Sequence, residues 1–301
     1  MSVIERPRSP AMDALLGKVI PVLDHGFIRL IDYMGNDDAI VQAARVSYGR
    51  GTKAASDDRA LIRYLMRNRH TSPFEMAEIK LHVRLPIFVA RQWIRHRTAS
   101  VNEYSARYSV LEREFYVPEV EAVGAQSTAN RQGRRGDFDP AEAQLVADIF
   151  KSDAERAYGR YLELLNQDAE GNVLSATRTG VARELARIDL PLSFYTQWYW
   201  KIDLHNLLSF LSLRAHPNAQ LEIRAYAQEI LKIVAVWVPH TYEAFVDYRR
   251  DSYELSRGAL EAVRRMLRGE RVVASDVGLS PREWRELGER LGVDDSGARS
   301  V

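Results

Sequence analysis

The 301-residue chain has no cysteine, which excludes disulfides, thiolate metal ligands and cysteine nucleophiles together. Its seven histidines fall into no HExxH or comparable ligand spacing, so no metal site is expected. An excess of one charge sign is lacking too: 28% of the residues are charged, yet the net charge is +1. A dedicated nucleic-acid binder carries a strong basic excess. Any anion site must therefore be local, and no nucleic-acid partner is expected. No apolar run approaches the ~20 residues of a membrane-spanning helix. The opening MSVIERPRSPAMDALLGK has no signal-peptide core, and a cytoplasmic protein without membrane contact is expected. Glycine-rich phosphate loops are missing as well. Gly49-Arg50-Gly51-Thr52-Lys53 departs from the GxxxxGK spacing and reads as a loop, and no GxGxxG joins a strand to a helix.

What is present suffices for one large domain with an appendage, since 46% of the residues are hydrophobic. Val19 to Leu23 and Phe27 to Asp32 read as short β runs around an Asp24-His25-Gly26 turn. Asp37 or Asp38 can cap a helix over DDAIVQAARVS. Asp57-Asp58 can start another, carrying Leu61, Ile62, Leu65 and Met66 at core-facing spacing. From Glu78 to Arg84 apolar and polar residues alternate strictly, the pattern of a half-buried strand. Pro86 is placed to open a helix over PIFVARQWIRHR at its first position. Residues 118–138 read as a long polar loop before Asp139-Pro140 starts a helix reaching Leu165. The last third reads as helical. There YWKIDLHNLLSFLSLRAH sets Leu204, Leu207, Leu208 and Leu211 on one stripe, with His205, Ser209 and Ser212 opposite. The expected class is α+β, a small antiparallel sheet packed with long helices. Three segments are expected: a loose N-terminal segment 1–17, a main domain 18–250, and a helical extension 251–301 with a capping box at Ser280-Pro281-Arg282-Glu283.

Chemistry concentrates in RQWIRHRTASVNEYSARYS, residues 91–109. Arg91, Arg95, Arg97 and Arg107 stand there with His96 against a single acid, Glu103. Arginine suits phosphate because its planar fork donates hydrogen bonds in pairs. The bland alternative is a solvated arginine face tied to surface acids. Two features favour an anion site: acids are scarce in the window, and it follows an apolar strand-helix entry, Ile79 to Ile94. That entry reads as buried, and buried guanidinium groups without carboxylates call for another anion.

Arg95-His96-Arg97, then seven residues, then Ser105 is a motif that resembles the hallmark of the flavin-dependent thymidylate synthases. The resemblance runs on through GFIRLIDYMGND, ARVSYG, HTSPFE, PIFVARQWIRHR, NEYSARYS, ARIDLPLSFYTQWYWKIDLHN and LRAHPNAQLEIR, covering roughly residues 18 to 250. It implies the thymidylate synthase-complementing fold and methylation of dUMP to dTMP. It further implies FAD as cofactor, NADPH and 5,10-methylenetetrahydrofolate as cosubstrates, and a homotetramer with active sites at subunit interfaces. The missing cysteine agrees with it. The better-known, unrelated thymidylate synthase adds a cysteine to uracil C6, and a chain without one needs electrostatic polarisation of the pyrimidine.

Residue by residue, the resemblance implies Arg214 as the catalytic arginine that activates the base. It implies a substrate site of Gln92, Trp93, Ile94, Arg95, Glu103, Tyr104, Ser105, Ala106, Arg107 and Arg187 around Arg214. For FAD it implies Ser47, His70, Ser72, Arg95, His96, Arg97, Glu103, Asp203, His205 and Ser209. No His–Asp relay is spaced to make Ser105 a nucleophile, so it reads as a hydrogen-bond donor. Three positions depart from relatives: Ser209 stands where Asn or His is frequent, His205 where some carry Arg, and Ala106 where some carry Gly. Two rival classes compete. One is a nucleic-acid module using Trp93, Tyr104 and Tyr108; the other is an idle scaffold kept for subunit assembly.

Overall fold

The computed structural model describes residues 7–46, 57–128, 133–136 and 138–293. Ser47 and the Gly49 to Lys53 loop lie outside the described residues. The chain divides into two compact units, Met1–Arg250 and Asp251–Val301. The strands of the first are β1 (Val19–Val22), β2 (Gly26–Met34), β3 (Glu78–Pro86), β4 (Ser100–Glu103), β5 (Ala125–Gln126), β6 (Arg134–Arg135) and β7 (Tyr195–Asp203). Its helices are α1 (Pro10–Asp13), α2 (Asp37–Val46), α3 (Asp58–Arg67), α4 (Ser72–Glu75), α5 (Ile87–Trp93), α6 (Pro140–Leu165), α7 (Arg183–Ala186), α8 (Leu204–Arg214), α9 (Leu221–Trp237) and α10 (Pro239–Phe245). Five strands form an antiparallel sheet in the order β1-β2-β3-β7-β4, while β5 and β6 make a separate ribbon. The α+β class with an antiparallel sheet is as expected.

In β3 the alternation works as read. Ile79, Leu81, Val83 and Leu85 are at most 1% exposed, and Lys80, His82 and Arg84 occupy the other face. Strand β7 corrects the helical reading of the last third. Residues 195–203 alternate with period two: Thr196, Trp198, Trp200 and Ile202 are buried, with Gln197, Tyr199 and Lys201 between them. The leucine stripe begins only at Leu204, where Asp203 caps α8 by accepting from the Asn206 N–H at 2.9 Å. Pro86 also moves by one position, ending β3 and serving as the N-cap of α5. Residues 118–138 are not loop throughout, for they hold the β5–β6 ribbon and a short 3-10 turn at Val120–Ala122. Residues 9–17 are not loose either. Met12 is wholly buried, and the Tyr33 hydroxyl donates to Asp13 Oδ1 at 2.6 Å.

The core that fixes the site is aromatic. Trp93 of α5 packs against Trp198 and Trp200 of β7, Phe210 of α8 and Tyr226 of α9, with ring centroids 4.8 to 5.9 Å apart. Each such side chain contributes about 1.5–3 kcal/mol by leaving water, and edge-to-face contact adds to it. This cluster clamps the end of α5 to α8. The second unit has helices α11 (Arg257–Leu267) and α12 (Pro281–Leu291), closed around Ala259, Ala262, Val272 and Leu287. Its Ser280–Glu283 capping box is present as expected. Because Trp200 is fully buried, Trp200→Ala should lower unfolding free energy by about 3–5 kcal/mol in a urea titration. A loss under 1 kcal/mol would contradict its place in the core.

Candidate active site

Helix α5 turns Val89, Ala90 and Trp93 into the core, which leaves Arg91, Ile94 and Arg95 exposed and Gln92 half-buried. At the end of α8, Arg214 reaches back to this segment. Its Nε donates to His96 Nε2 at 3.1 Å and its Nη2 to the Gln92 carbonyl at 3.2 Å. The His96 ring rests edge-on against Phe210, 4.9 Å between centroids, so the aromatic core holds both partners. Since His96 Nε2 accepts, its own proton sits on Nδ1 and the ring is neutral. Burial, and then the neighbouring Arg214 cation, hold its pKa below the ordinary histidine value. Burial and the charge of Arg95 likewise lower Arg214, although a guanidinium stays charged throughout the working pH range.

Several arginines outside the site are tied to acids. Arg59 and Arg63 pair with Glu243, Arg84 with Glu112, and Arg113 with Glu155. Among the described residues Arg91, Arg95, Arg97, Arg107, Arg187 and Arg214 pair with no carboxylate. Five of them, all but half-buried Arg214, are exposed to solvent, so the bland alternative loses its ties to acids but not its solvation.

A second group gathers at the turn after β4. The Tyr108 N–H donates to the Ser105 carbonyl at 3.1 Å, presenting Ser105, Ala106 and Arg107. Arg183 Nη1 donates to the Tyr108 carbonyl at 3.2 Å. Arg187 is exposed on the 3-10 turn that follows α7. Both arginines offset, through charge, part of the upward push that burial exerts on the Tyr161 hydroxyl. At the edge of the sheet, Glu103 Oε1 accepts from the Thr196 hydroxyl at 2.7 Å, and the Tyr104 N–H donates to the Gln197 carbonyl at 2.8 Å.

A third group lies at the other end of α8, about 13 Å along its axis from Arg214 at 1.5 Å per residue. His205 and Ser209, one turn apart, line a cavity of about 150 Å³ with Met66, Phe74, Ser212 and Arg249. Ser72 opens the neighbouring α4, and His70 is exposed with its ring edge-on to Tyr64 at 5.6 Å. Both oxygens of Asp203 are engaged within the fold by Asn206. An occupant touching all of α8 must therefore be elongated.

Trp93 needs a correction. It was expected at the substrate, but the whole residue is buried in the aromatic core, at 0% exposure. Sequence reasoning also missed three residues that touch the expected ones. Thr196 holds Glu103, and it was lost when β7 was read as helix. Gln220 accepts from the Gln92 side-chain amide, and Arg183 braces the Ser105 turn; no local spacing pairs positions so distant in sequence.

Among the described residues no group of three or more His, Asp or Glu is arranged to hold a metal, and no helix is long and apolar enough to cross a membrane. Unneutralised arginines at the end of α5, on the Ser105 turn, after α7 and at the end of α8, on an antiparallel α+β frame without a thiol to attack a substrate, define a site for anionic ligands. Comparison with known proteins makes this specific. The family model described as thymidylate synthase complementing protein matches residues 29–240. A flavin-dependent thymidylate synthase of Rickettsia prowazekii is 57% identical over 284 residues, spanning 94% of this chain and 97% of that protein. One from Gluconobacter oxydans is 58% identical over 94% of this chain and 90% of its own length. The UMP/dUMP methylase PolB of Streptomyces cacaoi, solved with 5-Br UMP, superimposes with a TM-score of 0.65 at 35% identity, covering 77% of this chain and 98% of PolB. The chain belongs to the flavin-dependent thymidylate synthase family.

The histidine arrangement has a pH consequence. Folded His96 and His82 both have pKa values depressed by burial and by adjacent arginines. The unfolded chain therefore binds more protons than the folded one below about pH 6.5, and stability held above that value is lost as pH falls. The melting temperature should drop between about pH 7.5 and 5.5, and by less in His96→Gln. An equal drop in the variant would remove His96 from the account.

Proposed function

We propose that the protein methylates dUMP to dTMP in the cytoplasm, as a homotetramer, using FAD, NADPH and 5,10-methylenetetrahydrofolate. The observation that carries this reading is Arg214, a half-buried guanidinium held by His96 and the Gln92 carbonyl and neutralised by neither. Uracil C5 is a poor nucleophile, and this chain has no cysteine with which to activate it at C6. A fixed cation beside the N3–C4 carbonyl edge lowers the N3 pKa and stabilises the negative charge that develops as C5 attacks. Arg214 fills that role at full strength because both of its partners are uncharged. His96 is a positioning residue, and its neutral Nε2 keeps the guanidinium plane fixed.

The donor set fits a flavin dinucleotide. Arg95 and Arg97 flank His96 and supply the forks a pyrophosphate needs where no glycine-rich loop exists. The cavity at His205 and Ser209, with Met66 and Phe74, offers apolar wall and polar edge, and Ser72, His70, Glu103 and Asp203 line the expected path. When bound, FAD carries reducing equivalents from NADPH to the transferred carbon. For dUMP, Ser105, Ala106, Arg107 and Arg187 form the phosphate end, and Gln92, Ile94, Arg95 and Tyr104 the approach to Arg214. Sites at subunit contacts would set the Ser105 turn of one chain against the Arg214 of another.

Anaerobic incubation of FAD-loaded protein with NADPH, dUMP and methylenetetrahydrofolate should yield dTMP, and its absence would reject the function. Arg214→Ala should lower kcat by roughly 10²–10³-fold while yellow FAD stays bound. Undiminished turnover would remove Arg214 from catalysis.

A further inference from the structure

A cavity of about 360 Å³ lies beside the nucleotide site, and none of the expected site residues lines it. One wall is the β5–β6 ribbon, with Gly124, Arg134 and Arg135; the other is Asn218, Gln220 and Arg224 at the start of α9. The ribbon is fastened by a buried latch. Arg134 Nη2 donates at 2.6 Å to Glu222, which is 2% exposed and also accepts from the Tyr116 hydroxyl at 3.0 Å. This neutralises Arg134 and holds the neighbouring Arg135 in place. A side chain at Gly124 would collide with the Arg135 carbonyl, so the two strands can close only with glycine there.

The cavity's remaining charge is positive. Arg135 pairs with no carboxylate among the described residues, and Arg224 donates only to the Pro217 carbonyl. Among the described residues Glu121 is the one acid on the wall. The cavity wall also adjoins the candidate active site, because its Gln220 accepts from Gln92, whose carbonyl receives Arg214.

We propose that this cavity holds the carboxylates of the folate cosubstrate's glutamyl tail, an inference that rests on the function proposed above. The volume lies at the low end for small-molecule sites, about 300–1,000 Å³; it suits a short acidic chain and not a second dinucleotide. The phosphates of the other ligands already have Arg95, Arg97, Arg107 and Arg187. A folate whose reacting end meets the pyrimidine at Arg214 must lead its tail out of the site, and the Gln92–Gln220 bridge marks the adjoining exit. Along that exit Arg135 and Arg224 can each fork onto a carboxylate.

The test compares methylenetetrahydrofolate bearing one glutamate with the triglutamate form on the full-length, FAD-loaded enzyme. The triglutamate KM should be lower by roughly tenfold, the scale of one charge-assisted pair. Arg135→Ala and Arg224→Ala should each remove most of that preference with kcat and the dUMP KM unchanged, and Arg135→Lys should restore part of it. Equal KM values for the two tails in the unmodified enzyme, or a preference kept by both alanine variants, would overturn the proposal. A rise in the dUMP KM instead would overturn it too, by assigning the cavity to a nucleotide phosphate. Calorimetric titration of tri-γ-glutamate separates the two readings. Binding that Arg135→Ala abolishes supports the subsite even if no dTMP forms, and no binding to the unmodified protein rejects it.

Discussion

Guanidinium groups that the protein leaves without carboxylates set the terms for the rest of the structure. With 42 basic and 41 acidic residues, the chain has acids enough to neutralise nearly every cation, and Arg59 and Arg63 on α3, Arg84 on β3, and Arg156 and Arg160 on α6 are paired in this way. Around α5, the Ser105 turn and the end of α8 the arginines are not. Such groups repel one another, and the charge of Arg95 already lowers the pKa of half-buried Arg214. They stay together because packing supplies what electrostatics withholds: the tryptophan cluster fixes the end of α5, and Phe210 ties His96 to the middle of α8.

The frame serves the charge in another way. Both partners of Arg214 are neutral, an imidazole nitrogen and an amide carbonyl. A carboxylate in either place would hold the side chain as firmly but cancel the field that a developing anion needs. The same logic separates Arg134 from Arg135. The first is neutralised by buried Glu222 and becomes part of a wall; the second keeps its charge and faces a cavity.

Local pattern made much of this legible. Period-two alternation marked β3, the acid-poor arginine window marked the anion site, and the leucine stripe marked α8 with His205 and Ser209 off its buried face. Strand β7 escaped because nine residues of alternation run directly into that stripe, and only the Asp203 cap separates them. Trp93 was placed at the substrate although its side chain points into the core. Thr196, Gln220 and Arg183 were invisible for a different reason. Their importance comes from hydrogen bonds to residues 93, 128 and 75 positions away, set by sheet register and helix packing and not by spacing along the chain.

Titration calorimetry of dUMP into the FAD-loaded protein at low and at high salt tests the central claim most directly. If nucleotide phosphates supply the missing negative charge, affinity should be high in low salt and fall steeply as salt rises. Binding that is absent, or indifferent to salt, would mean that these arginines do not await an anion.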